Sequence, residues 1–194
     1  MRRIITRESR DKKLKRNQLI IGIALIGLMV SSTLGFAFIN KTNSSNDIEE
    51  IKYKGVRFVR DLNGYWNFNI DGIDFLTKYN PENTEAIDIS TSLNLQNYVN
   101  KPLYFIGDSG DHFAEIDRNL RDRFVTRISG ACLSGEECLE DFPIKSCSED
   151  NIIIIKEDAE NERIYQEEGC VFITASYANQ VRYADAFLFS LLGI

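Results

Sequence analysis

Ser109 and His112 are the residues of this chain whose types and spacing come nearest to a catalytic pair. Ser109 sits in Gly107-Asp108-Ser109-Gly110, and His112, the only histidine, follows three residues later. A serine hydroxyl becomes an acyl-transfer nucleophile when a neighbouring base takes its proton, and a carboxylate such as Asp108 can orient the base. Three residues, however, put His112 in the first turn of a following helix, a poor place for the base of a triad. The bland alternative is a tight strand-to-helix turn permitted by the two glycines, with Asp108, Ser109 or Asp111 capping the helix. That turn is the preferred reading. Were the loop a ligand site, Asp108 and Asp111 would disfavour phosphate and favour a cation or an amine.

The cysteines are the second candidate set. Cys132, Cys138, Cys147 and Cys170 match neither a redox CxxC nor a paired zinc pattern, so two structural disulfides are expected and thiol-disulfide exchange is the alternative. Four cysteines allow three pairings. A hairpin between Ile152–Glu157 and Glu162–Glu167 would pair positions summing to about 319 and bring Cys147 opposite Cys170, leaving Cys132 to Cys138. No Walker loop, dinucleotide fingerprint, EF-hand loop or HExxH occurs, so no cofactor and no metal is expected.

These residues need a frame. Alternating runs at Val56, Phe58 and Leu62, at Trp66, Phe68 and Ile70, and at Ile73 and Phe75 are broken by Asn63-Gly64 and Asp71-Gly72, the signature of a three-stranded β-meander. Asn80-Pro81 ends it. Ala86–Ile89 reads as a short extended piece, and a brief helix carries Leu95, Tyr98 and Val99 after caps at Ser90, Thr91 or Ser92. Leu103–Ile106 reads as a strand covered on both faces. Phe113, Ile116, Leu120, Phe124 and Ile128 have helical spacing, closed by Gly130. Ile152–Ile155 must be a central strand, Ile164–Gln166 returns, Cys170–Thr174 is a further strand, and Asn179–Leu192 is an amphipathic helix capped by Gly193. The expected fold is α/β or α+β: a mixed sheet of about six strands with two main packed helices, preceded by the meander.

Placement follows from the N-terminal third. Leu19–Ile39 is 21 uncharged residues, long enough at about 1.5 Å per residue to cross about 30 Å of hydrocarbon as a transmembrane helix. Residues 1–18 carry eight basic and two acidic side chains, a net of +6, which holds that tail on the cytoplasmic side. The remaining chain has 15 basic and 27 acidic residues, net −12, and is assigned outside: a polar stalk over 40–50, then one domain over 51–194. A cleaved signal peptide ending near Gly35-Phe36-Ala37 is the rival to an anchor. Asn40 and Asn43 open glycan sequons. The acidity argues against a nucleic-acid partner.

GDSG is identical to the segment around the nucleophile of trypsin-like proteases, and its GDS to that of GDSL-type hydrolases. The first family takes its histidine from earlier in the chain, and the second places the motif near its start with a distant C-terminal histidine. This chain departs from both. A broader likeness rests on YKGVRF and NGYWNFNIDGIDF, PIKSC with NIIIIKED, IYQEEGCVFI and the terminal AFLFSLLGI. Together with the basic tail and anchor, these resemble uncharacterised archaeal single-pass membrane-anchored proteins with a small disulfide-containing external domain. The resemblance implies a tethered external domain and no catalytic residues. The functional expectation is a non-enzymatic extracytoplasmic module that binds or organises another membrane or envelope protein, with an envelope hydrolase using Ser109 and His112 as the alternative.

Overall fold

The computed structural model describes residues 18–30, 49–138 and 141–194, in two compact units, 1–48 and 49–194. In the first unit residues 18–30 form a helix, α1, with Leu19, Ile20, Ile23 and Ile26 exposed on its surface. Among the described residues no helix is long and apolar enough to cross a membrane; the rest of the expected span, 31–39, lies outside them, as do the tail over 1–17 and both sequons.

The second unit is α+β and opens with an antiparallel meander of four strands, one more than expected: β1 (Glu50–Tyr53), β2 (Val56–Arg60), β3 (Trp66–Ile70) and β4 (Ile73–Thr77). Glu50 therefore belongs to a strand and not to the stalk, and the Glu49 carbonyl accepts from Arg60 N–H at 2.8 Å. Phe58 lies opposite Phe68, and Phe68 opposite Phe75, so one face carries a ladder of rings with Trp66 beside it. Leu62 falls outside this face, in the loop, and is exposed. One helical turn, α2 (Pro81–Thr84), follows under a capping box between Asn80 and Asn83.

The larger sheet has six strands in the order β5-β11-β12-β10-β6-β7. They are β5 (Ile89–Ser90), β6 (Pro102–Ile106), β7 (Arg127–Gly130), β10 (Asn151–Glu157), β11 (Arg163–Glu167) and β12 (Cys170–Ala175); β8 (Cys132–Leu133) and β9 (Ile144–Lys145) make a separate two-stranded pair. β12, β10, β6 and β7 run parallel, while β11 is antiparallel to β12. The four isoleucines of β10 are central, as expected, and alternate between faces. Ile153 and Ile155 meet the helices, whereas Ile152 and Ile154 meet a second core under the loop over 131–150. Burying each isoleucine contributes about 1.5–3 kcal/mol.

Two sequence expectations fail here. Ile152–Glu157 does not form a hairpin with Glu162–Glu167, because β12 lies between them, paired parallel to β10 with Ile152 opposite Cys170. The apolar helical series also outruns its helix, since α3 (Asp111–Leu120) ends at Arg121, whose backbone is extended. Ile128 is in β7, and Phe124 leaves the helix to stack on Phe75 of the meander with ring centroids 6.0 Å apart. The apolar spacing continues because both residues are buried, each for a different neighbour. The brief helix is a 3-10 turn, Leu95–Asn97, capped by Asn94 and not by the serines and threonine before it.

The last helix, α4 (Gln180–Leu192), has Gly193 at its left-handed end as expected, but it is buried almost all round. Ala184, Phe187, Leu188 and Leu191 face the six-stranded sheet, while Phe189 inserts into the ring ladder of the meander, 6.0 Å from Phe58 and 5.9 Å from Phe68. A helix with apolar residues on all sides is the one that lies between two layers. Asn119 of α3 completes the joint: its side-chain oxygen accepts from Leu76 N–H and its amide donates to Leu76 C=O, closing the backbone groups of the edge strand β4.

Candidate functional site

The GDSG loop lies at the carboxyl end of β6, where the chain leaves towards β7 on one side and later returns as β10 on the other. In open sheets with parallel strands, crevices at such reversals are where ligands bind. A cleft of about 570 Å³ opens here, lined by Phe105, Phe113 and Phe142, by Asp108 and Glu137, and by Ser109. Its rear wall is the backbone of Gly130 and Ala131 with Cys132.

Each glycine of the motif has a local reason. Gly107 takes a φ of 139°, and a Cβ there would stand 2.9 Å from the carbonyl oxygen of Ile155 on the adjacent strand. At Gly110 a Cβ would stand 2.7 Å from the ring of His112. Gly110, and none of Asp108, Ser109 and Asp111, is the N-cap residue of α3, and it offers no side-chain cap; Asp111 supplies the acid of the first turn.

Ser109 is exposed in the cleft, and among the described residues its hydroxyl makes no hydrogen bond. His112 is 2% exposed, stacks on Phe105, and places Nε2 3.0 Å from the Asp108 carbonyl and 3.5 Å from its Oδ1. The ring thus fastens the loop to the helix. The structure brings Ser109 and Asp108 to the same cleft and holds His112 behind it, outside the lining.

The cysteines pair as Cys147–Cys170 and Cys132–Cys138, with Cα separations of 4.9 and 5.7 Å. The first pairing is the expected one reached by a different route. Gly169, just before β12, donates its N–H to Cys147 C=O at 2.7 Å, and a Cβ there would stand 2.8 Å from that oxygen, so the bend over 146–150 can lie against the start of β12. Cys147–Cys170 ties the bend over 146–150 to the start of β12 on the face of the sheet away from the helices, where Cys170 is fully buried, and Cys132–Cys138 closes the turn after β8 on itself.

A second cluster has no counterpart in the sequence reading. Glu115 of α3 and Asp185 of α4 are 2% and 0% exposed, and their carboxyl groups face each other. Asp185 Oδ2 accepts from Tyr79 N–H at 2.8 Å, whereas Oδ1 is buried with no N–H or O–H donor among the described residues. Arg118 Nη1 lies 3.2 Å from both oxygens of Glu115. Burial raises the pKa of Glu115, opposed by Arg118; burial, then the Glu115 charge, raises that of Asp185 well above the carboxylate range. A proton on Asp185 would let its carboxyl donate to Glu115. Neither residue stands out in the sequence, where both are acids on helices, and only the burial of α4 on all sides could have pointed to Asp185.

Among the described residues no group of three histidine, cysteine, aspartate or glutamate side chains could hold a metal ion. Set against protein-family profiles, curated proteins and solved structures, the chain finds no match.

Proposed function

We propose that this chain is a membrane-tethered extracytoplasmic module that binds or organises another envelope component without chemically transforming it. In this reading residues 1–18 stay in the cytoplasm, 19–39 form the anchor, and the domain that follows the stalk faces outward. The +6 flank and the exposed apolar side chains of α1 support the anchor. Two closed disulfides suit an oxidising compartment.

The observation that carries the non-enzymatic half is the orientation of His112. Its Nε2 is engaged by Asp108 behind the loop, so the open cleft presents Ser109 without its candidate base and is better suited to hold a ligand than to acylate a serine. The cleft is also apolar with a few polar groups, the usual make-up of a binding site. The thiol-disulfide alternative is disfavoured at Cys147–Cys170 by the burial of Cys170, out of reach of an attacking thiolate.

Crosslinking and affinity capture of the full chain from native membranes test this reading. Recovery of a specific envelope protein, with no ester or peptide hydrolysis by the purified chain, is expected. Hydrolysis that Ser109→Ala abolishes, with no partner recovered, would overturn it and restore the serine hydrolase.

A further inference from the structure

The cleft at the end of β6 also carries information about the chemistry of its occupant. Among the described residues its lining holds two carboxylates, Asp108 and Glu137, and no lysine or arginine. The positive end of α3 points to this loop, but Asp111 already stands in the first turn of the helix to offset it. The rest is aromatic. Phe105 and Phe113 pack edge to face with centroids 4.8 Å apart, and Phe142 forms the opposite wall, its ring set so closely on Gly130 that a Cβ there would come within 2.9 Å of it. Phenylalanine faces attract cations, carboxylates pair with them, and an anion would meet two like charges.

Resting on the binding-module reading, we propose that this cleft takes an organic ammonium: a positively charged amine head joined to an apolar body, with the head between Asp108 and Glu137 and the body against the three rings. The volume of about 570 Å³ admits a ligand of that kind, and His112 is held behind the loop, outside the lining.

The test uses the full-length chain and two probes of nearly equal shape, phenethylammonium and the neutral 2-phenylethanol, titrated with binding followed by ligand-observed NMR. The ammonium should bind more tightly than the alcohol. Glu137→Gln and Asp108→Asn, each checked for an unchanged circular dichroism spectrum, should weaken the ammonium about five- to tenfold and leave the alcohol unchanged, as expected for one nearby charge. Phe142→Ala should weaken both probes. Equal binding of the two probes, or carboxylate variants that bind the ammonium as wild type does, would overturn the proposal. Failure of both probes to bind would overturn it as well, while a partner captured from membranes in the same preparation would leave the tethered-module reading standing.

Discussion

The two faces of the six-stranded sheet are covered in different ways. On one face Ile153, Ile155, Val171 and Ile173 meet α3 and α4, regular elements whose backbone groups are satisfied within themselves, and α4 is in turn covered by the meander. On the other, Ile152, Ile154, Cys170 and Phe172 lie under the loop over 131–150, whose regular structure among the described residues is the two-residue pair β8 and β9. A helix brings its own hydrogen bonds to the sheet it covers; a loop does not, and here Cys147–Cys170 ties it to the sheet while Cys132–Cys138 closes a turn within it. The helical face therefore carries the stability, and the loop face, with the cleft at its rim, is free to carry recognition.

Substitutions should separate the faces, and the largest effect is expected on the helical side. Phe187 is fully exposed to neither solvent nor loop; it is 0% accessible between α4 and the sheet and meets Tyr98 edge to face. Phe187→Ala should cost about 3–5 kcal/mol in chemical denaturation. Phe142→Ala, on the half-exposed cleft wall, should cost less than about 1 kcal/mol. Equal costs would erase the distinction between the faces.

Next come the crosslinks. Removing Cys147–Cys170, which closes 23 residues, by alanine at both positions should cost about 3 kcal/mol, and removing Cys132–Cys138, which closes 6, about 2 kcal/mol. Hydrogen exchange should quicken over the loop in both variants and stay slow in α4. Faster exchange spread evenly through both layers would show that the loop is no separate cover.

A smaller effect distinguishes two carboxylate sites by the sign of their pH dependence. Glu162 accepts from Ser176 Oγ and N, from Asn179 and from Tyr183, and these bonds, Ser176 first, lower its pKa to about 2. Its folded value lies below the unfolded value of 4.5, so its contribution is present above pH 4.5 and is lost as pH falls towards 2. Glu115 and Asp185 are the reverse, with folded values above the unfolded ones. Their contribution is complete at acid pH below the ordinary carboxylate range and is lost as pH rises through the raised values. Lys78 and Arg118, in the adjoining cavity, and Asp111 across it set the local charge around Glu115. Asp185→Asn keeps an acceptor for Tyr79 N–H and adds a donor towards Glu115, so its melting temperature should exceed that of wild type at pH 8 and fall to or below it at pH 4. Glu162→Gln should lose stability at pH 7 and lose little near pH 2. Parallel pH profiles for the two variants would refute the shared proton.

How much of this was legible in the sequence depends on whether a residue's neighbours are local. The isoleucines of β10 and the stripe of α4 announce themselves by type and period, and both elements stand where expected. The end of α3 does not, because Phe124 and Ile128 keep the spacing of a helix while answering to β4 and β6. β1 was hidden by lying against a polar stretch, with Glu49 and Glu50 at its start. The cysteine pairing emerged from a hairpin that does not exist, since opposing residues in a supposed ladder and residues at the two ends of a parallel insertion can be equally near. Ser109 and Asp108 could be named from GDSG, but Phe142 and Glu137, on the facing loop, have no periodicity to mark them, and the partnership of Glu115 with Asp185 exists only after α3 meets α4.

The most direct test of the tethered-module account is topology. The full chain, tagged at both ends, is produced in cells whose membrane remains intact and treated with a protease that does not cross it. The account predicts loss of the C-terminal tag and survival of the N-terminal one. Survival of the C-terminal tag with loss of the N-terminal one would contradict it.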